Sequence, residues 1–392
     1  MSDLPENGLA GRMRREIETL REAAQFRTLE NPAGINLYSN DYLGLARDPR
    51  LKQAMLTALA AADSVGSTGS RLLSGNSHEW ERLEADFADF VGTEAALYFG
   101  SGYTANIGLI SSLVGRGDVI LSDALNHASL IDGIRLSNAA RIVYPHADVS
   151  FLRRALHEHR NHSGRKLIVT ESIFSMEGDV APIQQLVELA CEYGADVIVD
   201  EAHAVGVYGP QGRGVCAALG LEREVFASVH TCGKALASAG AFVSGTGLLR
   251  DYLINRARTF IFSTAMPAYL AGQIRAALEL ARQADDARMH LREISMELRE
   301  ALVAAGMSCG ASSTQIIPIC VGANEAALSI ASDLQSAGFA VRAIRPPTVP
   351  AGTSRVRFSL TACLSVDDVR RLAVATEGAM KAVQSSVSST HA

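Results

Sequence analysis

Of the 36 basic residues in this chain only four are lysines, Lys52, Lys166, Lys234 and Lys381. The basic residues form no long run and the formal net charge is only −6, so the electrostatic footprint of a nucleic-acid binder is missing. Long apolar runs are missing as well. The longest uncharged stretch, from Ala95 to Gly115, carries Gly, Ser, Thr and Asn, which a bilayer-spanning segment would leave poorly satisfied. Neither nucleic acid nor a membrane is therefore an expected partner, and the stretch is expected inside a globular core. C-x-x-C spacing is absent, and the cysteines at 191, 216, 232, 309, 320 and 363 are scattered. That argues against a metal site and a disulfide framework and leaves them as reduced packing residues. The start, MSDLPENGLAGRMRREIETL, has neither the apolar core nor the small-residue cleavage site of a secretory signal, so the expected compartment is the cytoplasm. Repeats are lacking too, and the only biased tract is the tail QSSVSSTHA, expected to fray.

What is present is ordinary globular material: 392 residues, 48% hydrophobic and 20% charged. That length buries a large core and suits one large domain with smaller pieces. From about Met13 to Leu29 a charged pattern of helical period suggests an N-terminal arm. Between Ala95 and Gly245 the runs AALYFG, DVILSD, ARIVYPH, KLIVTES, DVIVDE, VFASVHT and GAFVSG alternate with helical or loop stretches. This alternation predicts a mostly parallel sheet with helices on both faces. A capped amphipathic helix starting near Asn76 precedes it. A long helix over Asp285 to Met307, followed by TQIIPICVG and SRVRFSL, predicts a smaller α+β domain. The expected division is an arm over 1–42, a large domain over 43–282 and a small domain over 283–392.

Ligands of open α/β sheets bind beyond the carboxyl ends of the strands. Polar residues cluster after those runs. Ser101, Gly102, Tyr103 and Thr104 form a glycine-containing turn into a helix, suited to a phosphate. His127 follows the second run, Ser175 the fourth, and Asp200 and His203 close the fifth. Each alone has a plain structural explanation; an acid ending an apolar strand is the most informative, because burying a carboxylate without a partner is costly. Lys234 follows the sixth run and is flanked by Gly233, Ala235, Ala237 and Ser238, which leave room for a bulky ligand. The other three lysines lie in an early polar helix, at the amino end of a strand and near the tail.

An amine, an acid and a phosphate-binding turn at one sheet edge match the needs of pyridoxal 5′-phosphate (PLP). That cofactor forms an imine with a lysine, keeps its ring nitrogen protonated beside an acid and needs donors around its phosphate. Lys234 suits the first role and Asp200 the second. His203 and Ser175 can reach the phenolic oxygen, Thr231 joins the 101–103 turn at the phosphate, and His127 can stack on the ring.

The segments SNDYLGL, GSTGSRLLSGN, FGSGYTAN, LNHASLIDG, ESIFSMEGD, DEAHAVGVYGPQGRG and HTCGKA occur in family order over about residues 36 to 362. Together they resemble the α-oxoamine synthases, PLP enzymes of the aspartate aminotransferase-like (type I) fold. The resemblance implies a decarboxylative condensation of an amino acid with an acyl thioester. The run AIRPPTVPAGTSRVRFSLTA is similar to the biotin-pathway branch, which joins L-alanine to a pimeloyl thioester on coenzyme A or acyl carrier protein. The resemblance further implies Lys234 as the Schiff-base lysine and general base, Asp200 as pyridinium partner, and His203 or His127 polarising the thioester. It implies phosphate ligands at Ser101, Gly102, Tyr103 and Thr231, with Ser263 or Thr264 supplied by the neighbouring subunit of a homodimer. Arg345 matches the arginine that clamps the amino acid's carboxylate, Asn40 and Thr348 line the substrate site, and Arg27, near the end of the N-terminal helix, meets the acyl substrate. Cys232 stands where many relatives carry a bulkier residue.

Overall fold

The computed structural model describes residues 8–390. Among the described residues twelve strands run in chain order: β1 Ile35–Asn36, β2 Ala95–Phe99, β3 Val119–Asp123, β4 Ala140–Tyr144, β5 Lys166–Glu171, β6 Asp196–Asp200, β7 Ala227–Thr231, β8 Ala241–Gly245, β9 Ile316–Gly322, β10 Phe339–Ala340, β11 Ala343–Ile344 and β12 Ser354–Ser359. All seven runs predicted as strands form one sheet, in the order β2-β8-β7-β6-β5-β3-β4. Only β8 opposes the others, pairing antiparallel with both β2 and β7. The carboxyl ends of the remaining six therefore lie along one edge.

All but the edge strand β4 are buried on both faces, as a doubly covered sheet requires. Leu97, Phe99, Ile120, Leu167, Val169 and Val243 pack on one side with Leu109, Ile134 and Phe260. Tyr98, Leu121, Ile168, Val199 and Phe242 pack on the other with Trp80, Phe87, Leu186 and Ile274. The uncharged stretch from Ala95 resolves into β2 and the helix Gly102–Leu113, both within this core. Ser77 caps the helix His78–Val91 by accepting from Trp80 N, and Gly92 closes it in the left-handed conformation. Neighbouring Asn76 instead accepts from Arg71 and donates to Glu81.

The helix Asp285–Ala304 leads into a three-stranded antiparallel sheet, β11-β12-β9. Chain segments distant in sequence meet here. β1 pairs in parallel with β10, Ser359 N donates to Leu37 O at 2.8 Å and Ala362 N to Tyr42 O at 2.8 Å. The stretch leading into residue 42 is thus fastened to the carboxyl-terminal sheet, which brings Asn40 and Tyr42 beside β12.

Three expectations are corrected. The first helix is Leu9–Glu22 rather than 13–29; Ala24 adopts a positive φ of 51° and breaks it, so Arg27 lies beyond the helix. The tail from Gln384 continues the last helix, which runs from Val366 to Thr390; the final two residues are outside the described range. All six cysteines are free, but Cys191, Cys320 and Cys363 are exposed, so packing accounts only for Cys216, Cys232 and Cys309. No described helix is long and apolar enough to cross a membrane.

Candidate active site

The carboxyl edge of the sheet gathers the predicted residues. Lys234 Nζ lies 2.8 Å from His203 Nε2, and His203 Nδ1 lies 2.6 Å from Tyr42 Oη. Tyr42 Oη in turn donates to Asn40 Oδ1 at 3.1 Å. A phenol has one proton, so donation to Asn40 makes Tyr42 the acceptor from His203 Nδ1–H. His203 is then the tautomer whose Nε2 accepts from Lys234. Burial, followed by the charges of Lys234 and Arg357, holds His203 well below the usual histidine range and keeps it neutral. Burial also pushes Lys234 down to about 8, opposed chiefly by the charge of Asp200. Gly206 makes this approach of the two loops possible: at φ +83° its Cα sits where a Cβ would be 2.8 Å from that of Ala235.

Asp200, 6% exposed, accepts from Asn106 Nδ2 at 2.7 Å and from Ala202 N at 2.9 Å. Asn106 also donates to Ser129 Oγ at 2.9 Å, and that oxygen is 2.8 Å from His127 Nδ1. The acid and the candidate stacking ring are thereby joined through two buried polar groups. At the phosphate end, Ser101 caps the helix Gly102–Leu113 in a capping box with Thr104. This uses the N–H groups of Ser101 and Thr104 and leaves those of Gly102 and Tyr103 in the first turn, ahead of the intrahelical ladder. A Cβ on Gly102 would lie 3.7 Å from Thr231 Oγ1, so turn and threonine face one another.

The residues fit PLP. A partly desolvated amine, a buried acid held by two donors and a helix N-terminus with free N–H groups lie along one sheet edge. When bound there, PLP would be held by Lys234, with Asp200 at its ring nitrogen and Gly102, Tyr103 and Thr231 at its phosphate.

Not every predicted residue joins this group. Arg345 donates to Ala24 O and to Phe26 O at 3.4 Å. Arg27 donates to Pro346 O and Thr348 Oγ1, both at 3.3 Å. These three form a separate knot that ties the N-terminal segment to the loop after β11. Ser263 and Thr264 are exposed, Thr264 bridging to Ser70.

The guanidinium beside the lysine–histidine pair is a different one. Arg357, 7% exposed, donates to Ser175 O at 2.6 Å and Asn40 Oδ1 at 3.2 Å. No carboxylate pairs with it among the described residues, whereas nearby Arg355 is matched by Glu177 at 2.8 Å. A buried cation without a counter-ion is costly unless an anion arrives. Sequence reasoning passed over Arg357 as one residue of an apolar strand, although a charge repeated at alternate positions of SRVRFS was a readable sign. Tyr42, Asn106 and Glu171 were missed too. Glu171 ends KLIVTE just as Asp200 ends DVIVD, so the same signal was available.

Fold and site together define a PLP-dependent enzyme of the type I fold. The class I and II aminotransferase family matches residues 32–375. The 8-amino-7-oxononanoate synthase of Geobacter sulfurreducens is 44% identical, over 92% of this chain and 95% of that one. That of Azoarcus sp. is 48% identical, over 86% and 85%. Among solved structures, a serine palmitoyltransferase from S. paucimobilis with PLP and myriocin bound superposes with a TM-score of 0.89 at 29% identity, covering 96% of this chain and 100% of that one. An 8-amino-7-oxononanoate synthase from Francisella tularensis gives a TM-score of 0.78 at 28% identity, over 89% and 98%. The chain belongs to the class I and II aminotransferase family, and within it to the α-oxoamine synthases.

Proposed function

We propose that this protein is a PLP-dependent acyltransferase that condenses L-alanine with a pimeloyl thioester, releasing carbon dioxide and free thiol and giving 8-amino-7-oxononanoate for biotin synthesis. The single observation that carries the chemistry is the 2.8 Å contact between Lys234 Nζ and neutral His203 Nε2. PLP supplies the electron sink that makes a Cα proton of the amino acid removable. Lys234, with a pKa near 8, is matched to accept that proton at neutral pH. His203 orients the amine through Nε2, and Tyr42 and Asn40 fix the imidazole. Arg357 takes the substrate carboxylate, its fork of donors already turned toward Asn40. This reassigns the clamp from Arg345, whose donors are engaged by carbonyls of the N-terminal segment. Arg345, Arg27 and Thr348 would instead meet the acyl substrate or its carrier. His127 covers one ring face, while Ser175 and His203 serve the phenolic oxygen.

The wider reading rests on the family resemblance. The protein works in the cytoplasm as a homodimer in which Ser263 or Thr264 reaches the partner's phosphate. It divides into an arm over 1–42, a PLP-binding domain over 43–282 and a small domain over 283–392. The acyl group arrives on coenzyme A or acyl carrier protein.

Thiol and carbon dioxide release by the PLP-loaded enzyme, measured with alanine, glycine and serine against pimeloyl, acetyl and palmitoyl thioesters, tests the reading. Highest kcat/KM with alanine and pimeloyl thioester is expected. Preference for glycine with the acetyl donor, or serine with the palmitoyl donor, would assign another α-oxoamine synthase activity. A protein that binds PLP but turns over none of them would mark a non-catalytic subunit, a role at odds with the intact Lys234, His203 and Asp200.

A further inference from the structure

One buried acid in the pocket has no part in the roles above. Glu171 closes β5 as Asp200 closes β6, and the two are in register. Neighbouring strands lie about 4.8 Å apart and paired residues leave the sheet on the same face, so both carboxyl groups share one wall. Glu171 is 3% exposed and its Oε1 is buried without a hydrogen-bond partner. The groups that face it are Asp200 from β6, Lys234 from the loop after β7, and the backbone N–H groups of His127 and Ser175. One amine thus stands against two acids.

Two carboxylates this close do not both stay ionised around a single amine. Asp200 has Asn106 Nδ2 and Ala202 N to hold its charge. Glu171 has an orphaned oxygen instead. Burial, and then the charge of Asp200, raise its pKa well above the ordinary glutamate range.

We propose that Glu171 is the protonated positioning acid of the cofactor pocket: as a neutral carboxyl it meets the N–H groups of His127 and Ser175, holds those two loops around the ring, and leaves Asp200 as the pocket's single negative charge. Glutamine reproduces the shape and neutrality of a protonated glutamate, whereas alanine removes the acceptor. The proposal rests on the PLP reading above.

The test uses reconstituted wild-type, Glu171→Gln and Glu171→Ala enzymes. For each, the Kd for PLP and the pH midpoint of the visible absorbance of the lysine-bound cofactor are measured. Glu171→Gln is expected to keep the Kd within about threefold and the midpoint within roughly 0.3 pH units, while Glu171→Ala weakens PLP about tenfold or more. An ionised Glu171 would instead make the glutamine variant's midpoint fall by about one pH unit or more, since a charge this near the amine is lost. That shift, or an alanine variant that binds like wild type, would overturn the proposal. Should the alanine variant not fold, the infrared difference between wild type and Glu171→Gln decides: a protonated-carboxyl band supports the proposal and a carboxylate band overturns it. A wild-type protein that bound no PLP would sink the cofactor reading first, an outcome distinct from altered binding in the variants alone.

Discussion

At pH 7, roughly one in ten amines with a pKa near that of Lys234, about 8, is neutral. For an ordinary lysine at 10.5 the neutral fraction is roughly one in three thousand. The ratio is about 300-fold, equivalent to ~3 kcal/mol at 1.36 kcal/mol per unit. Only a neutral amine attacks the PLP aldehyde, so the rate at which apoprotein captures PLP should rise with pH and level off above about pH 8. Asp200 raises the Lys234 pKa against the effect of burial. Asp200→Asn should therefore move the midpoint down, by about one unit for a charge across a partly buried pocket, while PLP is retained less tightly. Stopped-flow absorbance of apoprotein mixed with PLP across pH 6–10 reads both quantities. A midpoint near 10, or one that rises in Asp200→Asn, would refute the reasoning that burial sets the amine and Asp200 opposes it.

Arg357→Met should raise the KM for alanine by about 150-fold or more and leave the KM for the acyl thioester nearly unchanged, since two charge-assisted hydrogen bonds to the carboxylate are lost at about 1.5–3 kcal/mol each; the same selective effect from Arg345→Met alone would return the clamp to Arg345. Tyr42→Phe strips the partner from His203 Nδ1 and should cost about 1–3 kcal/mol, seen as a roughly fivefold or greater fall in kcat with a lower Tm. His146 sits 3.0 Å from Asp123 Oδ1 and 2.8 Å from Asp179 Oδ2; burial disfavours its charge, but the bonds to both acids outweigh that and raise it to about 10. Because the folded pKa exceeds the unfolded value, the native state holds the extra proton, so this stabilisation is complete below about pH 6.5 and is lost as pH rises through about 10. Thermal melts from pH 6 to 10 should decline, and His146→Gln should flatten the decline; an unchanged slope would contradict the assignment.

His146 shows what local reading leaves out. Nothing in ARIVYPHADVS indicates that its imidazole will bridge the end of β3 to the loop after Ser175, because both acids come from elsewhere in the chain. The same holds for Arg345 and Arg357. Motif position favoured Arg345, but the positive φ at Ala24 turns the N-terminal segment so that its carbonyls take that guanidinium. Arg357 is delivered by the register of β12 and by the return of residues 37 to 42 onto it.

Seven apolar runs, several ending in polar residues, determined the mostly parallel sheet, its loaded edge and the candidates Lys234, Asp200, His203 and Ser101, since apolar patterning and turn chemistry are local properties of the chain. The tertiary structure alone decided which cation stays unpaired, which tautomer His203 adopts and which of two strand-end acids keeps its proton. Those outcomes depend on burial and on the distance between groups far apart in sequence, neither of which a linear pattern contains.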